Sequence, residues 1–161
     1  MPVMARWGDL RSARPDLAEA GHALLYQFGV GLAFLGTVRR DGGPRTHPIC
    51  PLLADDGLYG FLVPSPKRAD LVRDPRYSLH SFPSPRNEDA VYLTGDARRC
   101  DDVAIRDALV DQFIAERAEQ FEIPRSELDE QQLVEFDVQT CMVTRTTGHG
   151  DTHPQHTVWR A

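Results

Sequence analysis

The chain has 161 residues, 41% of them hydrophobic and 26% charged, which fits one globular domain and excludes disordered and fibrous classes. A formal charge of −6, with no basic run, removes the general attraction that nucleic-acid binders rely on, so nucleic acid is not an expected partner. The longest nearly uncharged apolar stretch, residues 29–38, is too short to cross a bilayer, and the opening segment MPVMARWGDL lacks the apolar core of a signal peptide.

Residues 15–27 (PDLAEAGHALLYQ) read as a helix. Pro15 suits a first turn, Asp16 and Glu19 favour its positive end, and Leu17, Leu24 and Leu25 supply the apolar positions. The segment 28–31, with two glycines, breaks it. Residues 32–39 then predict a strand, and Asp41-Gly42-Gly43 a hairpin turn. The return strand is expected over 45–53, bulged or at an edge because Pro48 and Pro51 cannot donate ladder bonds. After the turn at 55–57 comes a third strand, 58–63. A short helix over 67–73 ends at Asp74-Pro75. Strands follow at 77–82 and 90–98, a long helix at 103–120, and one long final strand at 133–144. No repeat or internal linker appears. Residues 1–145 read as one domain and 146–161 as a C-terminal tail. Consecutive strands with few helices argue for an α+β arrangement, an antiparallel sheet or barrel with helices outside it.

Familiar cofactor signatures are missing. Gly29-x-Gly31 opens a strand and is followed by Gly36, so it is not the dinucleotide fingerprint, and neither a Walker-type loop nor a His-Glu-x-x-His motif occurs. Cys50, Cys100 and Cys141 stand far apart with no Cys-x-x-Cys, which predicts reduced thiols and a cytoplasmic location. Of the 18 basic residues only one, Lys67, is a lysine. It sits in Ser65-Pro66-Lys67-Arg68, where a strand hands over to a helix. Free N–H groups, a hydroxyl, an ammonium and a guanidinium converge there, either as a phosphate seat or as a solvated helix start balancing Asp70 and Asp74. Arg45 and His47 share one face of the second strand, as paired donors or as an ordinary polar hairpin face. His149, His153 and His156 have metal-like spacing only on a helix, which Gly148, Gly150 and Pro154 oppose, so no metal is expected. Trp159-Arg160 either covers a flat ligand or partner subunit or anchors the tail on the core. His80 reads as a hydrogen-bonded structural histidine.

The ordered segments GLAFLGTVRRDGGPRTHPICPLL, DGLYGFLV, SPKRADLVRDPRYSL and VYLTGDARRCDD, from Gly31 to Asp102, resemble the pyridoxamine 5′-phosphate oxidase-like, FMN-binding split-barrel family. The resemblance implies a six-stranded antiparallel split β-barrel with flanking helices. It also implies a homodimer holding FMN, or in some branches a deazaflavin or heme, at the subunit interface. On this resemblance Arg45, Thr46 and His47 contact the cofactor. Phe61, Leu62 and Val63 run beneath its ring and ribityl chain. Ser65 and Lys67 take the phosphate with help from Arg68, and Trp159 and Arg160 form the aromatic–basic chain end that reaches the flavin. Asp70 departs from the family, which more often has an amide or basic residue there. The tail does not resemble the substrate-binding end of the vitamin B6 oxidase. The implied function is therefore FMN-dependent oxidoreduction of some other small molecule, with no side chain as catalyst. A deazaflavin-dependent reductase, a flavin- or heme-binding module without turnover, and a barrel that has lost its cofactor are the alternatives.

Overall fold

Alternation of apolar and polar residues builds most of the sheet. In the computed structural model, which describes residues 2–161, the order is α1 (Trp7–Ala13), α2 (Pro15–Leu25), β1 (Ala33–Val38), β2 (Pro44–Ile49), β3 (Leu52–Ala54), β4 (Gly57–Leu62), α3 (Pro66–Arg73), β5 (Arg76–Ser81), β6 (Ala90–Arg99), α4 (Val103–Arg117), a 3-10 turn (Arg125–Leu128), β7 (Gln132–Phe136), β8 (Thr140–Arg145) and β9 (Gln155–Arg160). All strand pairs are antiparallel. The strands form one curled sheet of mixed α+β character, with four α-helices packed against it.

The sheet runs β2-β1-β5-β6, and β6 then serves two neighbours. Its first half pairs with β8, which carries β9 beyond it, and its last residues pair with β7, which continues through β4 to β3. Nine strands take part, not the six expected. Three local features make the difference. The proline-bearing return strand breaks at Cys50-Pro51 into β2 and β3, because neither proline offers an N–H to a ladder. The expected long final strand is two strands. The register against β6 shifts by one residue between Thr94↔Thr140 and Ala97↔Phe136, so Val138 bulges out and bridges Ala5 instead. Gly95 lies under that bulge, where a Cβ would overlap the Asp137 carbonyl oxygen. Third, the tail contains β9, hydrogen-bonded to β8 along its whole length.

Two cores result. The larger gathers Leu10, Leu25, Leu35, Leu79, Leu93, Phe136 and Cys141 between the sheet and helices α1 and α2. Helix α1 is absent from the expected elements; its seven residues form about two turns, too short for a clear apolar period. The smaller core, Leu52, Tyr59, Leu109 and Leu133, lies under α4, whose first turn is capped by the Asp102 carboxylate accepting from the Ile105 N–H at 3.0 Å. Buried Glu135 of β7 joins the halves, accepting from Arg6 Nε at 2.7 Å and from Arg98 Nη2 at 2.8 Å. No helix among the described residues is long and apolar enough to cross a membrane.

Candidate functional site

Helix α3 sits on the edge of the sheet formed by β1 and β2, fixed there by a buried carboxylate. Asp70, only 3% exposed, accepts from Arg45 Nε of β2 at 2.6 Å, from Thr37 Oγ1 of β1 at 2.9 Å and from its own helix neighbour Arg73 at 3.1 Å. Burial by itself would raise the Asp70 pKa, but the hydrogen bonds from Arg45, Thr37 and Arg73 outweigh it and hold the pKa below the ordinary carboxyl value. Lys67 lies three residues before Asp70 on the same helix face, so the two side chains are neighbours. Its ammonium makes no ion pair among the described residues, and it is half-buried. The first main-chain bond of α3 runs from Ala69 N–H to Ser65 O at 3.1 Å, and no side chain caps the N–H groups ahead of it. An uncapped helix start, a free ammonium and the Arg45 guanidinium thus share one side of α3, an arrangement suited to an anion.

The remaining expected site residues divide. Ser65 Oγ donates to the Val63 carbonyl at 2.8 Å, which fixes the bend before α3. Arg68 points to the other side of the helix and donates to the carbonyls of Leu62 and Glu130. Phe61 packs edge-on to Phe113 at 5.9 Å with Arg106 over its ring, and Leu62 is in the larger core. Of these three neighbours only Val63 presents an exposed side chain. Arg45 and His47 do share a face, the one that β1 turns towards the core, while Thr46 points to the opposite face.

That opposite face carries no helix in the described residues. Across six strands it presents the row Thr46, Gly36, Ser78, Thr94, Thr140 and Arg160. The adjacent row includes Phe34, His80, Tyr92 and Met142. A depression of about 330 Å³ opens among Thr46, Ser78, Tyr92 and Thr94. Gly36 keeps it open, since a Cβ there would strike the Ser78 hydroxyl. Arg160 is exposed at the far edge, five strand spacings or about 24 Å along the sheet from Thr46. Trp159 points the other way and packs on the larger core. The two ends of the expected site therefore do not converge within one chain.

Four of the six histidines have local hydrogen-bond partners among the described residues. His80 Nδ1 donates to the Ser81 carbonyl at 2.6 Å, leaving Nε2 exposed on the uncovered face. His156 contacts the Thr144 hydroxyl, His153 that of Thr152, and His149 the Pro85 carbonyl. Thr37, Asp70 and Arg73 are additions to the expected site. The i, i+3 spacing of Asp70 and Arg73 was visible in the sequence, but their tie to Arg45 needs the β1–β2 register.

Neither a family model nor a curated protein matches the sequence. Solved structures do. General Stress Protein 26 from Bacillus anthracis aligns with a TM-score of 0.60 at 21% identity, over 78% of this chain and 91% of that one. A Listeria innocua protein provisionally assigned as a pyridoxamine 5′-phosphate oxidase gives 0.60 at 18% identity, over 76% and 93%. A heme binding protein from Mycobacterium smegmatis gives 0.61 at 18% identity; 89% of this chain aligns, and it spans 58% of that protein's length. The chain shares the fold of these proteins, the fold of the pyridoxamine 5′-phosphate oxidase-like split-barrel family that residues 31–102 resemble.

Proposed function

We propose that this protein is an FMN-dependent oxidoreductase acting on a small molecule, with the cofactor held between two copies of the chain. The observation that carries the reading is Lys67, a cation without an ion-pair partner among the described residues, beside the uncapped start of α3 and one helical turn from Asp70, which holds Arg45. Arg45, Arg73 and Lys67 against Asp70 leave a net of two positive charges, which suits a phosphate carrying nearly two negative ones. The donor set therefore fits FMN. Lys67 and the N–H groups of the first turn would hold the phosphate, on the side of the sheet that also carries Arg45 and His47. FMN, when bound, supplies the hydride chemistry. The protein's own work is binding, orientation and a cation near the ring. Arg160, about 24 Å along the sheet from Thr46, would take that last role only across the proposed contact between two copies.

Charge-assisted hydrogen bonds to phosphate contribute roughly 1.5–3 kcal/mol each. Lys67→Ala should therefore weaken FMN by about 10- to 150-fold and leave the weaker riboflavin affinity unchanged. Fluorescence titration of both ligands measures this; equal FMN affinity in the variant removes Lys67 from the phosphate seat.

A second reading rests on His80. With Nδ1 donating to a carbonyl, its exposed Nε2 is a free lone pair on the uncovered face beside Tyr92, the arrangement a heme ligand needs. The visible spectrum of the purified protein separates the readings. Flavin bands, or yellowing on addition of FMN, support the first, a deazaflavin spectrum points to that cofactor, and a sharp Soret band supports heme. A colourless protein indifferent to all three favours a barrel without cofactor.

A further inference from the structure

The side of α3 facing away from Arg45 forms a second site. Arg68, Leu71 and Val72 recur at helical spacing along this face and, with Pro75, form one wall of a groove of about 360 Å³. Ala97, Arg99, Gln132 and Val134, from β6 and β7, form the opposite wall, and Leu62 the floor. The volume falls at the small end of the roughly 300–1,000 Å³ typical of small-molecule sites. The floor is part of the packed core, and Val72 on the rim is 73% exposed.

The polar members of this groove are two guanidiniums and the Gln132 amide, which can donate as well as accept. Arg68 uses Nη1 on two main-chain carbonyls and has no carboxylate partner among the described residues; its Nε and Nη2 are free. Gln132 makes no side-chain hydrogen bond among them. Arg99 is held through Nε by Asp101 at 2.5 Å, which orients the guanidinium and leaves its outer nitrogens available. Among the described residues no Asp or Glu lines the groove itself; Asp101, Asp129 and Glu130 lie in the adjoining depression that Arg68, Arg99 and Gln132 also border, balanced there by Arg106. An apolar trough closed at one end by two guanidiniums and an amide is complementary to an apolar body with an anionic head.

We propose that this groove binds a small amphiphilic carboxylate, its chain along Leu71, Val72, Ala97 and Val134 and its carboxylate between Arg68 and Arg99. The site is distinct from the Lys67 side of the helix and does not depend on the cofactor reading. Because α3 separates the two sites, Arg68 belongs to this one.

Amide NMR of the ¹⁵N-labelled 161-residue chain, titrated with octanoate, tests the proposal. The expected result is saturable shifts centred on Leu71, Val72, Ala97 and Val134, with 1-octanol binding at least about 10-fold more weakly. Arg99 and Val72 are exposed, so Arg99→Gln and Val72→Asp should retain the native spectrum. The first should weaken octanoate by about 10-fold and the second should abolish saturation. Lys67→Ala should leave octanoate binding unchanged. Absence of saturable shifts, octanol binding as well as octanoate, or shifts centred on Thr46, Ser78 and Tyr92 would overturn it.

Discussion

Asp70 shows how one side chain sets the geometry of a whole edge. Its carboxylate is buried, yet three donors from three elements keep it ionised, and it thereby fixes both α3 and the direction of Arg45. Since its folded pKa is depressed, its contribution to stability is complete above the unfolded carboxyl value of about 3.9. That contribution is lost as the pH falls through the folded value. Asp70→Asn should therefore lower stability by about 2 kcal/mol at neutral pH. The deficit relative to wild type should shrink below about pH 4, which urea unfolding across that range measures. An unchanged deficit at low pH would show that Asp70 acts by packing alone. Cys141 is the opposite case. Burial pushes its thiol up to about 12, with nearby Arg14 opposing only weakly. Native protein treated with a thiol reagent at pH 8 should label at the half-buried Cys50 and Cys100 and leave Cys141 unmodified until denaturant is added. Mass spectrometry of the labelled chain reads the result.

At the scale of elements, the bulge between β7 and β8 decides the topology. One extra residue at Val138 lets β6 serve two neighbours, and it requires Gly95 where the Asp137 carbonyl crosses. Gly95→Ala should cost about 3 kcal/mol or prevent folding, because main chain and not a mobile side chain must yield. A thermal midpoint within 2 °C of wild type, about what 0.7 kcal/mol produces in a chain of this length, would refute this placement. Strand existence was largely legible from alternation, as in β1, β5 and β6, whose buried positions follow a period of two. The bulge was not legible, because Leu133 to Thr144 reads as one unbroken β-prone run. Nothing local to β8 marks the slip; the constraint sits across the sheet at Gly95. Strand β9 was hidden for a similar reason. Its residues are exposed and polar apart from Val158 and Trp159, and pairing with β8, not an apolar pattern, makes it a strand.

For the molecule as a whole, the surface to explain is the uncovered sheet face. Helices cover one side of the β2-β1-β5-β6-β8-β9 segment; on the other side Tyr92 and Met142 are half-buried with no helix over them among the described residues, and Phe34 stacks on Phe82 at 4.5 Å. Sedimentation at micromolar concentration should thus show a dimer. Tyr92→Asp should yield monomers that lose FMN affinity together with self-association. A dimeric variant, or a monomer with full FMN affinity, would place the interface or the cofactor elsewhere.

The sequence by itself determined most element types, the α+β class and the resemblance of residues 31–102, because local periodicity, turn glycines and the Ser-x-Lys bend at 65–67 are carried by residues close together in the chain. It also placed Arg45 and His47 on one face, a property of strand geometry alone. Only the tertiary structure decided which face that was, that Asp70 holds Arg45, that Arg68 leaves the Lys67 side of its helix, and that Thr46 and Arg160 stand at opposite edges. Each of these depends on strand register and helix rotation across residues far apart in sequence, which packing of the two cores sets and no local pattern encodes.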